Sequence, residues 1–209
     1  MLQKDIKQVI IFLISELDFY FAENGFLRKS NSLTYIRKLD GVTQKVETVF
    51  FSNPSYHSGA LAHIYPHMQI YIPSVNGTAK EFASHIIPSK WLGQFTIRQP
   101  IQIYSSSGDF YLMDVNDYES LKDQLLEFFK KNAMPLFNDL TSEKDYLLLY
   151  ENKDKRIIWD DNQYLYIAAT YFNNHDLNKS KEVIENRFGK KGLRNKYKEV
   201  FEYFENLEE

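Results

Sequence analysis

Residues 32–51 read SLTYIRKLDGVTQKVETVFF, and this stretch decides the fold class. Two runs rich in β-branched and aromatic residues, Ser32–Leu39 and Val42–Phe51, flank the dipeptide Asp40-Gly41. Asp-Gly is the favoured connection of a two-residue hairpin of type I′, in which both central residues take positive φ. Alternation along the second run puts five side chains on one face: Val42, Gln44, Val46, Thr48 and Phe50. The stretch therefore predicts an antiparallel β-hairpin with one buried face.

The residues before the hairpin carry a helical pattern. Apolar side chains recur every three or four positions at Leu2, Ile6, Val9, Ile10, Leu13, Leu17, Tyr20 and Phe21. This spacing is typical of an amphipathic helix, and Asn24-Gly25 is a typical C-terminal cap. We expect one helix over residues 3–23.

Shorter elements follow the hairpin. The pattern predicts a loop over 52–66, a strand at Met68–Ile72 and a short helix over 79–86. Further strands are expected at Phe95–Tyr104 and Asp109–Val115, and Pro100 makes the first of these an edge or bulged strand. Together with the hairpin they form an antiparallel sheet of four to six strands.

From residue 116 the period is helical. A helix over 117–132 should bury Leu121, Leu125, Phe128 and Phe129, and Pro135 should break or kink it near Ala133. Further helices are expected at Thr141–Glu151, Asp161–Phe172, Asp176–Phe188 and Leu193–Leu207. We predict an α+β fold with a sheet part, 1–115, and a helical part, 116–209, packed on the first as one continuous structure. The N-terminal helix and the helix at 117–132 should cover one face of the sheet.

Composition excludes several classes of protein. The 209 residues contain no Cys, which rules out disulfides, thiolate metal sites and a Cys nucleophile. The net charge of −3 gives no general attraction to nucleic acid or to anionic membranes. The longest apolar run, Val9–Ile14, is far shorter than the ~20 residues of a membrane span. We expect a cytoplasmic chain that begins at Met1 without a signal peptide.

Sequence motifs give no catalytic assignment. The chain has no P-loop, no G-x-G, no G-x-S-x-G and no H-E-x-x-H. His57, His63 and His67 fall close together, but no carboxylate with ligand spacing accompanies them, so we interpret them as loop and strand residues. Asp160-Asp161 is interpreted as a helix cap and a first-turn acid. We predict no catalytic residue, metal or cofactor, and an enzyme of unrecognised type remains the alternative.

A basic segment suggests a second alternative. Nucleic-acid binding through residues 179–198 would use Lys179, Lys181, Arg187, Lys190, Lys191 and Arg194. Five glutamates in the last eleven residues oppose these charges. The competing interpretation is a solvated helix pair whose basic and acidic parts neutralise each other.

Aromatic residues are unusually abundant, with 16 Phe, 15 Tyr and 2 Trp. Aromatic side chains are enriched at protein interfaces. We predict partner-binding residues in the helical half: Tyr164, Tyr171, Phe172 and Phe188. The alternative is that these rings only seal the C-terminal helices onto the rest of the chain.

Two short segments carry a resemblance to a known family. Gly25-Phe26-Leu27-Arg28-Lys29 precedes Leu33-Thr34-Tyr35, and Met134-Pro135-Leu136-Phe137 follows a helix. Over residues 5–140 the chain resembles an uncharacterised bacterial family, domain of unknown function four-three-zero-four, although Ser30 replaces a usual Gly and Leu33 a usual aromatic residue. The resemblance implies a compact, bacterial and cytoplasmic α+β domain and transfers no site residue.

The segment Tyr164–Arg187 resembles one tetratricopeptide-type hairpin. Ala168, Tyr171, Asp176 and Ser180 occupy matching positions, and His175 replaces the usual turn Gly. One unit cannot build an array, because stacking needs ~3 units. We therefore predict a non-catalytic, macromolecule-binding protein that acts through its helical half, with a bacterial immunity or accessory protein as one instance.

Overall fold

The structure is a computed structural model, and it describes residues 3–100 and 110–207. Its strands and α-helices follow in the order α1 Gln3–Ser15, α2 Asp18–Glu23, β1 Leu27–Arg28, β2 Thr34–Leu39, β3 Val42–Ser52, β4 Ala62–Tyr71, α3 Pro73–Ala83, α4 Ser89–Leu92, β5 Ile97–Pro100, β6 Phe110–Leu112, α5 Tyr118–Phe128, α6 Met134–Asp139, α7 Glu143–Glu151, α8 Asp161–Asn173, α9 Leu177–Phe188, α10 Lys191–Lys196 and α11 Lys198–Glu205. Over the described ranges, these elements confirm the predicted α+β class with a C-terminal helical extension.

One antiparallel sheet organises the described strands in the order β1-β2-β3-β4-β5, and β6 also pairs with β4. In the register of the outer pairs, Leu27 lies opposite Ile36 and Ala62 lies opposite Leu112. The hairpin is confirmed, but its turn is not type I′. Gly41 has φ +72°, whereas Asp40 does not take positive φ, so only one of the two central residues adopts the conformation that type I′ requires.

One face of the sheet is buried beneath aromatic side chains. From Val42 to Val49 of β3 the buried residues alternate with half-buried ones, as the pattern predicted, whereas Phe50 is half-buried and Phe51 is exposed. The Phe21 ring stacks on Tyr35 at 3.9 Å and meets Phe129 edge-on at 5.0 Å. Phe110 of β6 meets Phe128 of α5 at 5.2 Å. These contacts show that the N-terminal helices and α5 lie over the sheet. Such ring pairs also stabilise a core beyond the apolar area that they bury.

The predicted helix over 3–23 is two helices. A tight turn at Glu16-Leu17 interrupts it, and the Leu17 N–H donates to the Ile14 carbonyl at 3.0 Å. The second helix then starts at Asp18, whose two carboxylate oxygens accept hydrogen bonds from Arg28 at 2.8 and 2.7 Å. The predicted end is confirmed, since Gly25 takes φ +78° just after α2.

Several boundaries differ from the prediction. β4 begins at Ala62 rather than Met68, because Pro66 and the half-buried side chains around it obscure the alternation. α3 begins at Pro73 rather than residue 79, with the proline at the first helical position, where its missing N–H costs nothing. The predicted strands Phe95–Tyr104 and Asp109–Val115 are shorter where described, and residues 101–109 lie outside the described ranges.

Where the sequence predicted a break or a kink near Ala133, the structure has a π-helical stretch inside a continuing helix. The helix passes from α5 through π-helical residues Phe129–Ala133 into α6. Proline has no backbone N–H to donate to the carbonyl four residues earlier. A short π-helical stretch changes the hydrogen-bond register, so the helix can continue past the proline. The predicted helix Leu193–Leu207 is also divided, because Tyr197 leaves helical geometry between α10 and α11.

The described residues group into two compact units. The first draws on residues 3–39, 43–69, 98–100 and 110–139, and the second on residues 40–42, 70–97 and 140–207. This division does not follow the sequence boundary between 115 and 116, since α5 and α6 belong with the sheet. That the chain forms one continuous structure stays a prediction.

The second unit is built around α8, which packs against α3, α7 and α9. Its buried side chains are largely apolar, but Asn76 and Gln163 are also buried. The Gln163 Nε2 donates to the Thr96 carbonyl at 2.9 Å, and the Tyr146 hydroxyl donates to the Gln163 Oε1 at 2.7 Å. Both polar residues are therefore hydrogen-bonded, as buried polar groups must be.

In the described part of the chain, no helix is both long enough and apolar enough to cross a membrane.

Candidate partner-binding groove

A groove of about 400 Å³ lies in the second unit between α9 and α11. Ile184, Phe201 and Phe204 provide its apolar floor and are 1, 8 and 3% exposed. Phe201 and Phe204 are three residues apart on α11, so their side chains share one helical face. The volume lies in the lower part of the range of ~300–1,000 Å³ that holds small ligands, and the floor suits an apolar side chain.

Charged and polar side chains line the rest of the groove. They are the carboxylates of Glu182, Glu185 and Glu205, the cations of Lys181 and Arg194, and the exposed amide of Asn178. This arrangement of an apolar centre with a polar rim is the usual anatomy of a protein-binding surface.

Arg194 crosses the groove from α10. Its guanidinium lies 4.0 Å from the centre of the Phe201 ring, which is a cation–π distance. Its Nη1 is 2.6 Å from Glu185 of α9, and its Nη2 is 3.4 Å from Glu205 of α11. All three side chains are substantially exposed, so these ion pairs are of the weak surface kind. Arg194 therefore joins the two helices without closing the groove.

A second cavity of about 560 Å³ in the same unit is more polar and is lined in part by Trp91, Asp161, Arg187 and Tyr197. Partial burial opposes the ionised form of Asp161, but hydrogen bonds from Arg187 at 2.7 Å and Tyr197 at 3.0 Å lower the pKa of its carboxyl. Because Asp161, Arg187 and Tyr197 already hydrogen-bond to one another, this cavity has fewer free polar groups for a ligand and a less apolar lining than the groove.

The four predicted partner-binding rings do not form one exposed patch. Phe188 is fully buried and stacks on Tyr197 at 4.0 Å. Tyr171 is buried and donates its hydroxyl hydrogen to Glu151 at 2.9 Å.

The other two rings are half-buried. Tyr164 packs edge-on against Tyr150 at 5.9 Å, and Phe172 meets Phe204 at 6.3 Å. All four rings therefore make packing contacts inside the helical unit, and their assignment to partner binding stays a prediction.

The basic residues that would bind nucleic acid do not form one free surface: some pair with carboxylates, and others are exposed. Arg187 pairs with Asp161 at 2.7 Å, and Lys179 lies 3.7 Å from Asp176. Arg194 and Lys181 line the groove, whereas Lys190 and Lys191 are exposed. Both arginines would have to exchange carboxylates for phosphates in order to bind nucleic acid, so the geometry gives this alternative little support.

The three histidines lie on and beside the sheet in the first unit. The Tyr111 ring stacks against His63 at 4.5 Å and contacts His57 at 4.0 Å, while the Tyr56 hydroxyl is 2.7 Å from the His63 Nδ1. Burial and the positive charge of Arg98 lower the pKa of His67. Within the described residues, no group of three or more His, Asp or Glu side chains is placed to hold a metal ion. The geometry is that of a loop packed onto a strand.

No family model, curated protein or solved structure matches this chain. The resemblances to the domain of unknown function four-three-zero-four and to a tetratricopeptide hairpin therefore stay predictions.

The apolar floor of the groove was absent from the predicted site. One signal for it exists in the sequence, because Val200, Phe201 and Phe204 give the segment 198–205 a strong apolar face. That pattern cannot show that Ile184, which lies on another helix, lines the same groove, because a helical period records only the residues of its own helix.

Proposed function

We propose that this chain is a non-catalytic binding protein whose α9–α11 groove receives a segment of a partner protein. The observation that carries the proposal is the apolar floor of Ile184, Phe201 and Phe204, bordered by charged side chains on three helices, α9, α10 and α11. An apolar side chain set into such a groove is a common mode of peptide recognition. An immunity or accessory protein, which acts by holding a toxin or an enzyme, is consistent with this mode.

The size of the groove sets the expected affinity. Full burial of one apolar side chain contributes about 1.5–3 kcal/mol, and association costs several kcal/mol in lost freedom. A single anchor therefore falls far short of the ~8 kcal/mol that a micromolar Kd requires, so a peptide that binds in this groove must gain the rest of its affinity from contacts with the surrounding surface. A folded partner that also contacts the surrounding surface would bind more tightly.

Two matched asparagine variants test the proposal. Asn178 is an exposed residue on the rim of the groove, and Asn186 is an exposed residue of the same helix that does not line the groove. Asn178→Trp should fill the groove from its rim without disturbing the core. Asn186→Trp adds the same side chain outside the groove.

The probe is a display library of random peptides of about twelve residues, selected on the full chain. We expect enriched peptides whose affinity, measured by fluorescence anisotropy, falls about tenfold in Asn178→Trp and stays within about twofold in Asn186→Trp. Circular dichroism confirms that both variants fold. A selection that yields only peptides insensitive to Asn178→Trp would refute the proposal.

A further inference from the structure

A further cavity of about 380 Å³ in the second unit is walled by aromatic rings. These are Tyr150 in the last turn of α7, Trp159 in the loop after α7 and Tyr164 in the first turn of α8. Tyr150 meets Trp159 at 5.4 Å with 73° between the ring planes, and it meets Tyr164 at 5.9 Å and 90°. The rings therefore form a box with steep walls and not a flat stacking platform.

The geometry of this aromatic box suits a compact cation. The face of an aromatic ring carries negative electrostatic potential and attracts a cation within about 6 Å of its centre. A flat ligand stacks on an open ring face, whereas inclined rings surround a rounder group, as in the aromatic cages that bind quaternary ammonium groups. The Arg187 guanidinium, which lines the second cavity, already lies 4.8 Å from the Tyr164 ring centre. Tyr150 and Trp159 would therefore supply most of the attraction.

One carboxylate and one ammonium group also line this cavity. The Glu151 Oε1 accepts a hydrogen bond from the Tyr171 hydroxyl at 2.9 Å and lies 3.8 Å from the Lys179 Nζ, so its charge is partly compensated. Lys153 is exposed, and its side chain forms no ion pair within the described ranges. The Lys153 N–H donates to the Tyr150 carbonyl at 2.9 Å, which fixes this residue beside the box. The ammonium group of Lys153 is therefore available to an anion.

We propose that this cavity binds a small zwitterion that carries a quaternary ammonium group and an anionic group a few atoms apart, as phosphocholine and glycine betaine do. The quaternary ammonium group would lie in the box of Tyr150, Trp159 and Tyr164. The anionic group would pair with Lys153. A simple cation would leave Lys153 unpaired and close to a like charge, and a simple anion would leave the rings unused. The cavity is separate from the α9–α11 groove, so the inference does not rest on the proposed function.

Titration calorimetry of the full chain with phosphocholine and glycine betaine tests the proposal. Ligands of this size should bind with a Kd of about 1 mM. The matched control is the carbon isostere of phosphocholine, in which a tert-butyl group replaces the trimethylammonium group. We expect the isostere to bind about tenfold more weakly, because it has the shape without the positive charge. Equal affinity for phosphocholine and its isostere would overturn the inference.

Variants of Tyr150 test the aromatic box. Tyr150→Phe keeps the ring and should bind phosphocholine within about twofold of the unmodified chain, whereas Tyr150→Leu should bind about fivefold to tenfold more weakly. Tyr203→Leu is the control, since Tyr203 is a half-buried tyrosine of the same unit that does not line this cavity. Circular dichroism confirms that the variants fold. An equal loss in Tyr150→Leu and Tyr203→Leu, or no loss in either, would contradict binding in the box.

Lys153→Gln tests the site of the anionic group. We expect phosphocholine affinity to fall about threefold to fivefold, as the loss of an exposed ion pair predicts. Lys155→Gln is the control, because Lys155 is an exposed lysine of the same loop outside the cavity lining. An unchanged affinity in Lys153→Gln, or an equal loss in Lys155→Gln, would overturn the pairing with Lys153.

Nuclear Overhauser effects in the unmodified chain locate the ligand without any substitution. The chain has two tryptophans, and Trp91 lines the second cavity. We expect effects from the N-methyl protons of phosphocholine to the Trp159 indole. Flotation with phosphatidylcholine vesicles then distinguishes the sources: co-flotation that Tyr150→Leu abolishes supports a lipid headgroup, and binding of free phosphocholine without co-flotation supports a soluble ligand. Effects to Trp91 alone, or no saturable binding of either zwitterion, would overturn the inference.

Discussion

Asn76 is the polar centre of the second unit, and its replacement by leucine gives a direct test of how that unit is held together. The residue is 1% exposed on α3. Its Nδ2 donates to the carbonyls of Leu92 at 2.9 Å and Phe95 at 3.1 Å, and its Oδ1 accepts from the Thr96 hydroxyl at 2.5 Å. One side chain thus fixes the segment between α4 and β5 against α3.

The cost follows from the partners that Asn76→Leu leaves unpaired. Leucine has a similar size, so the loss is chiefly of hydrogen bonds. Each buried polar group left unsatisfied costs about 1–3 kcal/mol, but the Phe95 carbonyl keeps a long contact of 3.5 Å to the Tyr166 hydroxyl. We expect a loss of about 3 kcal/mol in the free energy of unfolding, which lowers the melting temperature by about 6–12 °C.

Urea unfolding followed by far-ultraviolet circular dichroism measures this loss. The control is Gly77→Ala, one residue along the same helix, where an added Cβ meets open space. Alanine in a helix interior should stabilise the protein by about 0.5–1 kcal/mol. A loss below about 1 kcal/mol for Asn76→Leu, or an equal loss for Gly77→Ala, would refute the network as the source of stability.

Two further predictions concern the first unit and the hairpin. Asp18→Asn should destabilise the protein by about 1–2 kcal/mol at neutral pH, because the Arg28 side chain is only 6% exposed and loses its carboxylate partner. Burial opposes the ionised form of Asp18, but hydrogen bonds from Arg28 and Tyr35 lower its pKa, so its stabilisation is present above about pH 4 and is lost on acidification. Urea midpoints measured between about pH 3 and pH 7 should be less pH-dependent in Asp18→Asn, and identical profiles would contradict this role. Gly41→Val should cost about 1–2 kcal/mol, since Gly41 takes φ +72°, and an unchanged melting temperature would show that the turn tolerates a β-branched residue.

Local patterns predicted the parts of the fold that depend on neighbouring residues. The hairpin around Gly41 and the helix ends at Gly25, Asp160 and Asp176 are confirmed. Turns and helix caps depend on a few neighbouring residues, so the local sequence is enough to predict where they fall. The buried stripe of α5 is confirmed for the same reason, since its helical period is unbroken.

Features that depend on distant residues were missed. Pro66 concealed only the first part of β4, Ala62–His67, although a strand accepts a proline where its N–H is not needed. The role of Asn76 depends on carbonyls of a later loop, and the groove is lined by residues of three separate helices, α9, α10 and α11. The apolar periodicity of one segment does not show which distant residues its side chains will contact.

Methyl resonances of isotope-labelled isoleucine in the full chain test the central claim most directly. Ile184 is the isoleucine of the groove floor, and Ile87 is a fully buried isoleucine of the same unit that does not line the groove. On titration with a peptide selected from the display library, we expect the Ile184 methyl signal to shift and to show nuclear Overhauser effects to the peptide's apolar side chain, while Ile87 stays unchanged. Saturation with a bound peptide that leaves the Ile184 signal unmoved would contradict binding in the α9–α11 groove.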